Sequence, residues 1–191
     1  MKYLIIYTHP NPKSFNRAVK EEVESALKKQ GKEFAVRDLY EIKFNSVLGG
    51  SDFAGLAQGK IPEDIKREQE FIKKAGALIF INPIWWFGMP ALLKGYIDRV
   101  FLRGFAYDVV DGKVKGLLSD KKVMMFNTTG GAQEDYEKFG YRLAIKTNIE
   151  LGIFEFCGMK VILHKYLFAV PTSTDEQRKE MLADIEGIDF E

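Results

Sequence analysis

The chain has 191 residues, long enough for one well-cored domain. Lys and Arg number 28 against 27 Asp and Glu, and a net charge of +1 provides no global field to hold nucleic acid or an anionic membrane. Cys157 is the only cysteine, which excludes an intramolecular disulfide, a CxxC pair and a thiolate metal cluster, and fits a reducing cytoplasm.

Residues 3–7 form an apolar run too short for a signal sequence and read as a buried strand. No run approaches membrane-spanning length, so a soluble protein that is not exported is expected. Pro10, Asn11 and Pro12 break the strand, and residues 16–30 take up helical spacing through Ala18, Val19, Val23, Ala26 and Leu27, ending at Gly31. Ser14 or Asn16 can cap that helix, and its first amides suit an anion, with Lys13 and His9 alongside. An ordinary N-cap without a ligand is the competing reading.

Residues 34–39 predict a second strand. Residues 45–60, rich in glycine and polar breakers and without a period, read as an irregular excursion, after which Pro62 opens a helix through Ile65, Gln69, Ile72 and Ala75. Residues 77–81 predict a third strand, buried on both faces. The turn that follows carries Pro83, Ile84, Trp85, Trp86, Phe87, Gly88 and Met89, then Pro90 and the helical pattern of residues 91–101. Turns at the carboxyl ends of parallel strands are where ligands bind, and this one has three consecutive aromatic residues where small polar ones are usual. Core packing could absorb one of them; three in a row cannot all face inward from a tight turn. They predict a platform for a planar ring, which Gly88 lets the backbone approach.

Residues 103–116 read as an exposed hairpin-like loop with Asp111-Gly112 at its tip. Residues 122–127 predict a fourth strand running into Thr128, Thr129, Gly130, Gly131, Ala132 and Gln133, whose backbone can come close to a ligand or simply flex. Residues 144–156 read as helix, 161–170 as a fifth strand, and Thr174 as the cap of a last helix over 175–185. Cys157 and His164 read as structural residues, and the basic run 113–122 as a solvated face that could also attract a nucleotide phosphate.

Alternating strands and helices predict an α/β fold: an open parallel five-stranded sheet in the order 2-1-3-4-5 with helices on both faces. That order brings the turns after strands one, three and four to a single sheet edge. They would supply helix-start amides for phosphate, aromatics for a flat ring, and hydroxyls with glycine amides for the ring's polar edge. A flavin matches that division of labour.

Along nearly its whole length the sequence also resembles the flavodoxin-like NAD(P)H:quinone oxidoreductases. The resemblance is carried by His9-Pro10 with Ser14-Phe15-Asn16, by Pro83 through Gly95, by Gly104-Phe105-Ala106-Tyr107, by Thr128-Thr129-Gly130-Gly131 and by Phe156-Cys157-Gly158-Met159. It implies that flavin phosphates lie against His9, Ser14, Phe15 and Asn16. The ring would rest on Pro83, Ile84, Trp85, Trp86 and Phe87, with its pyrimidine edge at Thr128, Thr129, Gly130, Gly131 and Tyr136. NAD(P)H would reduce the flavin, and a quinone would take two electrons from the same face, between Trp86, Phe87 and, in a homodimer, Tyr107 and Phe156 of the partner subunit. Family members of the mammalian type carry a histidine six residues after the tyrosine; here that position is Arg142, which could stabilise the charge of a reduced flavin but cannot relay a proton. A second family tyrosine falls at Val109. Arg178 falls where FAD-binding members put an arginine, which favours FAD over FMN. Related flavoproteins regulate potassium efflux systems, and that accessory role is the alternative the resemblance leaves open.

Overall fold

The computed structural model describes residues 2–190. In chain order it has β1 (Tyr3–Tyr7), α1 (Phe15–Lys29), β2 (Phe34–Asp38), α2 (Gly50–Ala57), α3 (Glu63–Lys74), β3 (Ala77–Pro83), α4 (Ala91–Val100), β4 (Tyr107–Val110) and β5 (Lys113–Gly116). There follow β6 (Lys122–Thr128), α5 (Gln133–Lys138), α6 (Tyr141–Ile145), a π-helix (Lys146–Glu155), β7 (Lys160–Leu167), a short 3-10 turn (Val170–Thr172) and α7 (Asp175–Glu186).

The five-stranded sheet runs β2-β1-β3-β6-β7, with every neighbouring pair parallel. This is the expected 2-1-3-4-5 order once the hairpin β4-β5, a separate two-stranded sheet, is counted. The hairpin turns on Asp111 and Gly112, both at positive φ, as its two-residue loop demands. Side chains of β1 alternate between two cores: Leu4 and Ile6 pack with Ile72 of α3 and Leu93, Tyr96 and Val100 of α4. Tyr3, Ile5 and Tyr7 pack instead with Val19, Val23 and Leu27 of α1 and Ile185 of α7. The period of two in each strand thus meets a helical stripe on either face, which makes burial possible on both. Among the described residues, no helix is long and apolar enough to cross a membrane.

Three stretches differ from the sequence expectation. Residues 45–60 contain α2, where an irregular excursion was expected. Its hold is tertiary: Asp52 Oδ2 accepts from the Gly49 amide at 2.9 Å, and the same carboxylate is paired with the buried Arg99 of α4. Helix over 144–156 begins earlier, as α6, and then widens: the Phe156 amide donates to the Leu151 carbonyl, five residues back, at 3.1 Å. The fifth strand ends at Leu167 and does not reach Val170, because Ala169 adopts a left-handed φ of 52°. The chain there turns onto the Thr-Thr-Gly-Gly loop: the Ala169 amide donates to Gly131 O and the Val170 amide to Thr129 O, at 2.9 and 3.0 Å.

Candidate active site

The turns after β1, β3 and β6 do meet. Register places Tyr7 beside Ile81 and Pro83 beside Thr128, so the three strands end together. Between their turns lies a cavity of about 480 Å³ lined by His9, Ser14, Phe15 and Asn16, by Pro83, Ile84, Trp85 and Trp86, and by Thr128, Thr129 and Gly130. Val170 and Pro171 complete the wall, and sequence reasoning missed both.

The first turn is built for an anion. Ser14 is the cap, its Oγ accepting from the Arg17 amide at 3.3 Å, which leaves Asn16 inside the helix. The opening amides of an α-helix have no intrahelical acceptor and carry the positive end of its dipole. His9 Nδ1 accepts from the Asn11 amide at 3.1 Å, so in the neutral ring the proton sits on Nε2. Burial holds this imidazole's pKa below its ordinary value, keeping it a neutral donor at neutral pH.

Asn16 is 3% exposed and donates through Nδ2 to Thr128 Oγ1 at 2.7 Å, tying the first turn to the third. Its Oδ1 is buried without a partner, and Asn16 is one of the residues that line the cavity. Buried polar atoms in native proteins are nearly always satisfied, and the missing donor here is one that a ligand can bring.

The aromatic turn is a tight hairpin: Trp85 and Gly88 exchange both backbone hydrogen bonds at 3.1 Å. Its two central residues, Trp86 and Phe87, sit at φ 49° and 57°, a left-handed region in which bulky residues cost on the order of 1–3 kcal/mol each. Asn-Gly would fill such a turn without strain. Trp86 is 97% exposed, so the strain is not offset by burial within this chain. Phe87 turns away from the lining and stacks on Tyr141 at 3.8 Å, with Tyr136 beside it at 5.9 Å. The third turn is stitched down, not loose, since Thr129 Oγ1 donates to Gly131 O at 2.8 Å and the Thr129 amide to Leu167 O at 2.9 Å. Gly131 also makes room for Tyr136, whose Cε2 lies 3.2 Å from where a Cβ would stand. Burial raises the Tyr136 pKa, so its hydroxyl remains a donor.

A family profile described as flavodoxin-like fold matches residues 1–188. An uncharacterized NAD(P)H oxidoreductase of Haemophilus influenzae is 37% identical, covering 95% of this chain and 91% of its own. The NAD(P)H:quinone oxidoreductase of Methanothermobacter marburgensis superposes with a TM-score of 0.87 at 32% identity, over 97% of this chain and 95% of that one. The chain belongs to the flavodoxin-like NAD(P)H:quinone oxidoreductase family. General stress protein 14 of Treponema denticola, solved in complex with FMN, is a more distant likeness: 26% identical, TM-score 0.62, covering 97% of this chain and 98% of that one.

The remaining residues singled out by the family resemblance lie around the cavity or apart from it. Arg142 forms an exposed 3.5 Å pair with Glu137 and sits 5.4 Å from the Tyr166 ring. Arg178 braces the cavity's rim, donating to Val170 O and Ser173 Oγ at 3.2 Å each. Tyr107 and Phe156 pack edge to face at 5.4 Å and line a second, smaller cavity of about 260 Å³ with Ile97, Phe101 and Cys157. They are therefore not part of the cavity in their own chain. Burial pushes the Cys157 thiol up to about 11, which leaves little thiolate at neutral pH.

Proposed function

We propose that the protein is a flavin-dependent NAD(P)H dehydrogenase that passes two electrons to a quinone. The observation that carries this is the single cavity shared by a helix start, a strained aromatic turn and the Thr-Thr-Gly-Gly loop, with Asn16 Oδ1 awaiting a donor. The family supports it, and so does the FMN held by the Treponema relative. The residues present suit the cofactor: the amides at the start of α1, with Ser14 and His9, would hold phosphate. Asn16 would accept a hydrogen bond from the ring or its ribityl chain, and Trp85 and Trp86 would flank the ring. Bound there, a flavin supplies hydride acceptance from NAD(P)H and two-electron transfer to the acceptor. In this reading Tyr136, packed beside Phe87 next to the cavity, would donate toward the pyrimidine edge, where negative charge gathers, and Trp86, with Phe87 stacked on Tyr141 behind it, would exclude water from the exchanging face.

Arg178 at the rim favours FAD, whereas the relative holds FMN; mass spectrometry of released flavin decides between them. We also read the protein as a homodimer of the cytoplasm. Tyr107 and Phe156 are unoccupied by their own chain's cavity and would close the partner's, and the lone Cys157 suits a reducing compartment.

Adding NADH or NADPH to the flavin-loaded protein should bleach its visible absorbance, and a quinone should restore it. A loaded protein that neither nucleotide reduces overturns the reading. Tyr136→Phe should slow reduction about tenfold, the worth of one hydrogen bond to developing charge, while flavin Kd stays nearly constant. Equal losses in both would mean that Tyr136 binds the resting cofactor and does not act on the charged one.

A further inference from the structure

Behind the cavity wall runs a buried polar chain that the proposed chemistry leaves unused. His164 of β7 and Glu150 of the π-helix have side chains 7% and 13% exposed, with His164 Nδ1 2.7 Å from Glu150 Oε1. The other ring nitrogen, Nε2, lies 2.7 Å from Asn127 Oδ1. Asn127 cannot be turned the other way, because its Nδ2 donates to the Asn82 carbonyl at 3.1 Å and a carbonyl only accepts. Nε2 must therefore carry a proton. With that settled, Nδ1 and a carboxylate oxygen at 2.7 Å would repel unless a second proton lay between them. The Glu150–His164 pair holds one shared proton and is neutral overall.

Its surroundings couple it to the site. Asn127 and Asn82 immediately precede Thr128 and Pro83, which line the cavity on adjacent strands. The Tyr166 hydroxyl is 3.3 Å from Nδ1, and its ring stacks on the imidazole at 4.1 Å. Tyr136 of α5 reaches Tyr166 at 6.5 Å, and Arg142 of α6 lies over the Tyr166 ring. Burial lowers the His164 pKa, Glu150 offsets part of that, and the Arg142 charge adds to the lowering. With both side chains buried, further charge nearby acts on this proton with little screening.

We propose that the Glu150–His164 pair is a redox-linked proton site, binding its shared proton more tightly when negative charge accumulates in the cofactor cavity. The inference rests on the flavoenzyme reading above. A hydride from NAD(P)H carries two electrons and one proton, and a quinone becoming a quinol takes two electrons and two protons. One further proton must come from water. The pair keeps its shared proton while the cavity is charged, gives it up as the quinol forms, and is refilled from water. Position 142, an arginine, cannot hold it.

His9 and His164 are the only imidazoles in the chain, so NMR of protein with isotope-labelled histidine resolves both titrations. The test compares flavin-loaded protein oxidised and reduced with dithionite. The His164 midpoint should rise on reduction by about one pH unit, a tenfold gain in proton affinity. Glu150→Gln should lower that midpoint in both states, and Glu150→Asp should restore most of it. A His164 midpoint identical in the two redox states overturns the proposal, as does a Glu150→Gln protein whose His164 titrates unchanged. If Glu150→Gln does not fold, the wild-type comparison decides alone. Dithionite replaces NAD(P)H here, so a protein that no nucleotide reduces, yet whose His164 midpoint moves, would refute the enzymatic reading and keep the proton site.

Discussion

Arg99→Ala should destabilise the protein by about 3–5 kcal/mol, the cost of leaving a buried charge without its partner. Arg99, on α4, is 3% exposed and grips Asp52 with two nitrogens, Nη2 to Oδ1 at 2.9 Å and Nε to Oδ2 at 3.2 Å. Its Nη1 reaches Asp64 Oδ2 at 2.5 Å and the Asn45 carbonyl at 2.9 Å. One side chain thus fastens α2, α3 and the segment between β2 and α2 to a single helix. That helix starts just beyond the aromatic turn, so its seating bears on where Trp86 stands. Packing leaves no slack nearby: a Cβ on Gly95 would fall 2.1 Å from the Ser46 carbonyl.

The same pair sets a pH dependence. The Arg99 guanidinium holds the Asp52 carboxyl below its usual value, so its stabilisation is complete at neutral pH. It declines as pH falls below the ordinary carboxylate range, where the unfolded state takes up a proton that the folded state does not, and it is gone once pH has passed the depressed value. Urea unfolding should show Arg99→Ala with a lowered midpoint at neutral pH and a gap to wild type that narrows in acid. Arg99→Met combined with Asp52→Leu should recover most of the loss, since an apolar replacement of both partners removes the stranded charge. If Arg99→Ala alone matched wild type at neutral pH, the clamp would have no energetic role.

This clamp also marks where the sequence is silent. Strands β1, β3 and β6 were legible because each is a continuous apolar run, and the three turns because proline, aromatic and glycine residues interrupt those runs abruptly. α2 was not legible: Gly49, Gly50 and Gly55 argue against a helix, and what holds it is an ion pair to a residue 47 positions away. Ala169 gave no sign of its left-handed turn, since only glycine or asparagine would have advertised one, and with it Val170 and Pro171 went unseen as cavity wall. The π-helix shifts the hydrogen bonding by one residue without any mark in composition. It nonetheless carries Glu150, whose pairing with His164 turns a histidine read as merely structural into a buried ionisable pair. From the residues of the first turn Asn16 read as a possible cap, and the family resemblance set it against the flavin phosphates; the structure gives the capping to Ser14 and puts Asn16 among the residues that line the cavity.

The second large effect is expected at Asn16. Paired replacement, Asn16→Leu with Thr128→Val, should weaken flavin binding by about 2–3 kcal/mol, on the order of a hundredfold in Kd, while leaving the flavin-free protein at least as stable as wild type. The two signs differ because the two states use the pair differently. Without a ligand, Asn16 Oδ1 is a buried acceptor with no donor, a liability that an apolar side chain of similar size removes. Its one internal bond, Nδ2 to Thr128 Oγ1 at 2.7 Å, disappears together with its acceptor, and removing both partners of a hydrogen bond is nearly neutral. With flavin bound, the same substitutions withdraw an acceptor and a hydroxyl from the wall that the cofactor must face, leaving its polar atoms desolvated against methyl groups. Fluorescence titration of apoprotein gives Kd, and thermal unfolding without flavin gives the other sign. Unchanged flavin affinity in the double variant would show that Asn16 and Thr128 form a structural pair and that the cofactor's polar edge lies elsewhere.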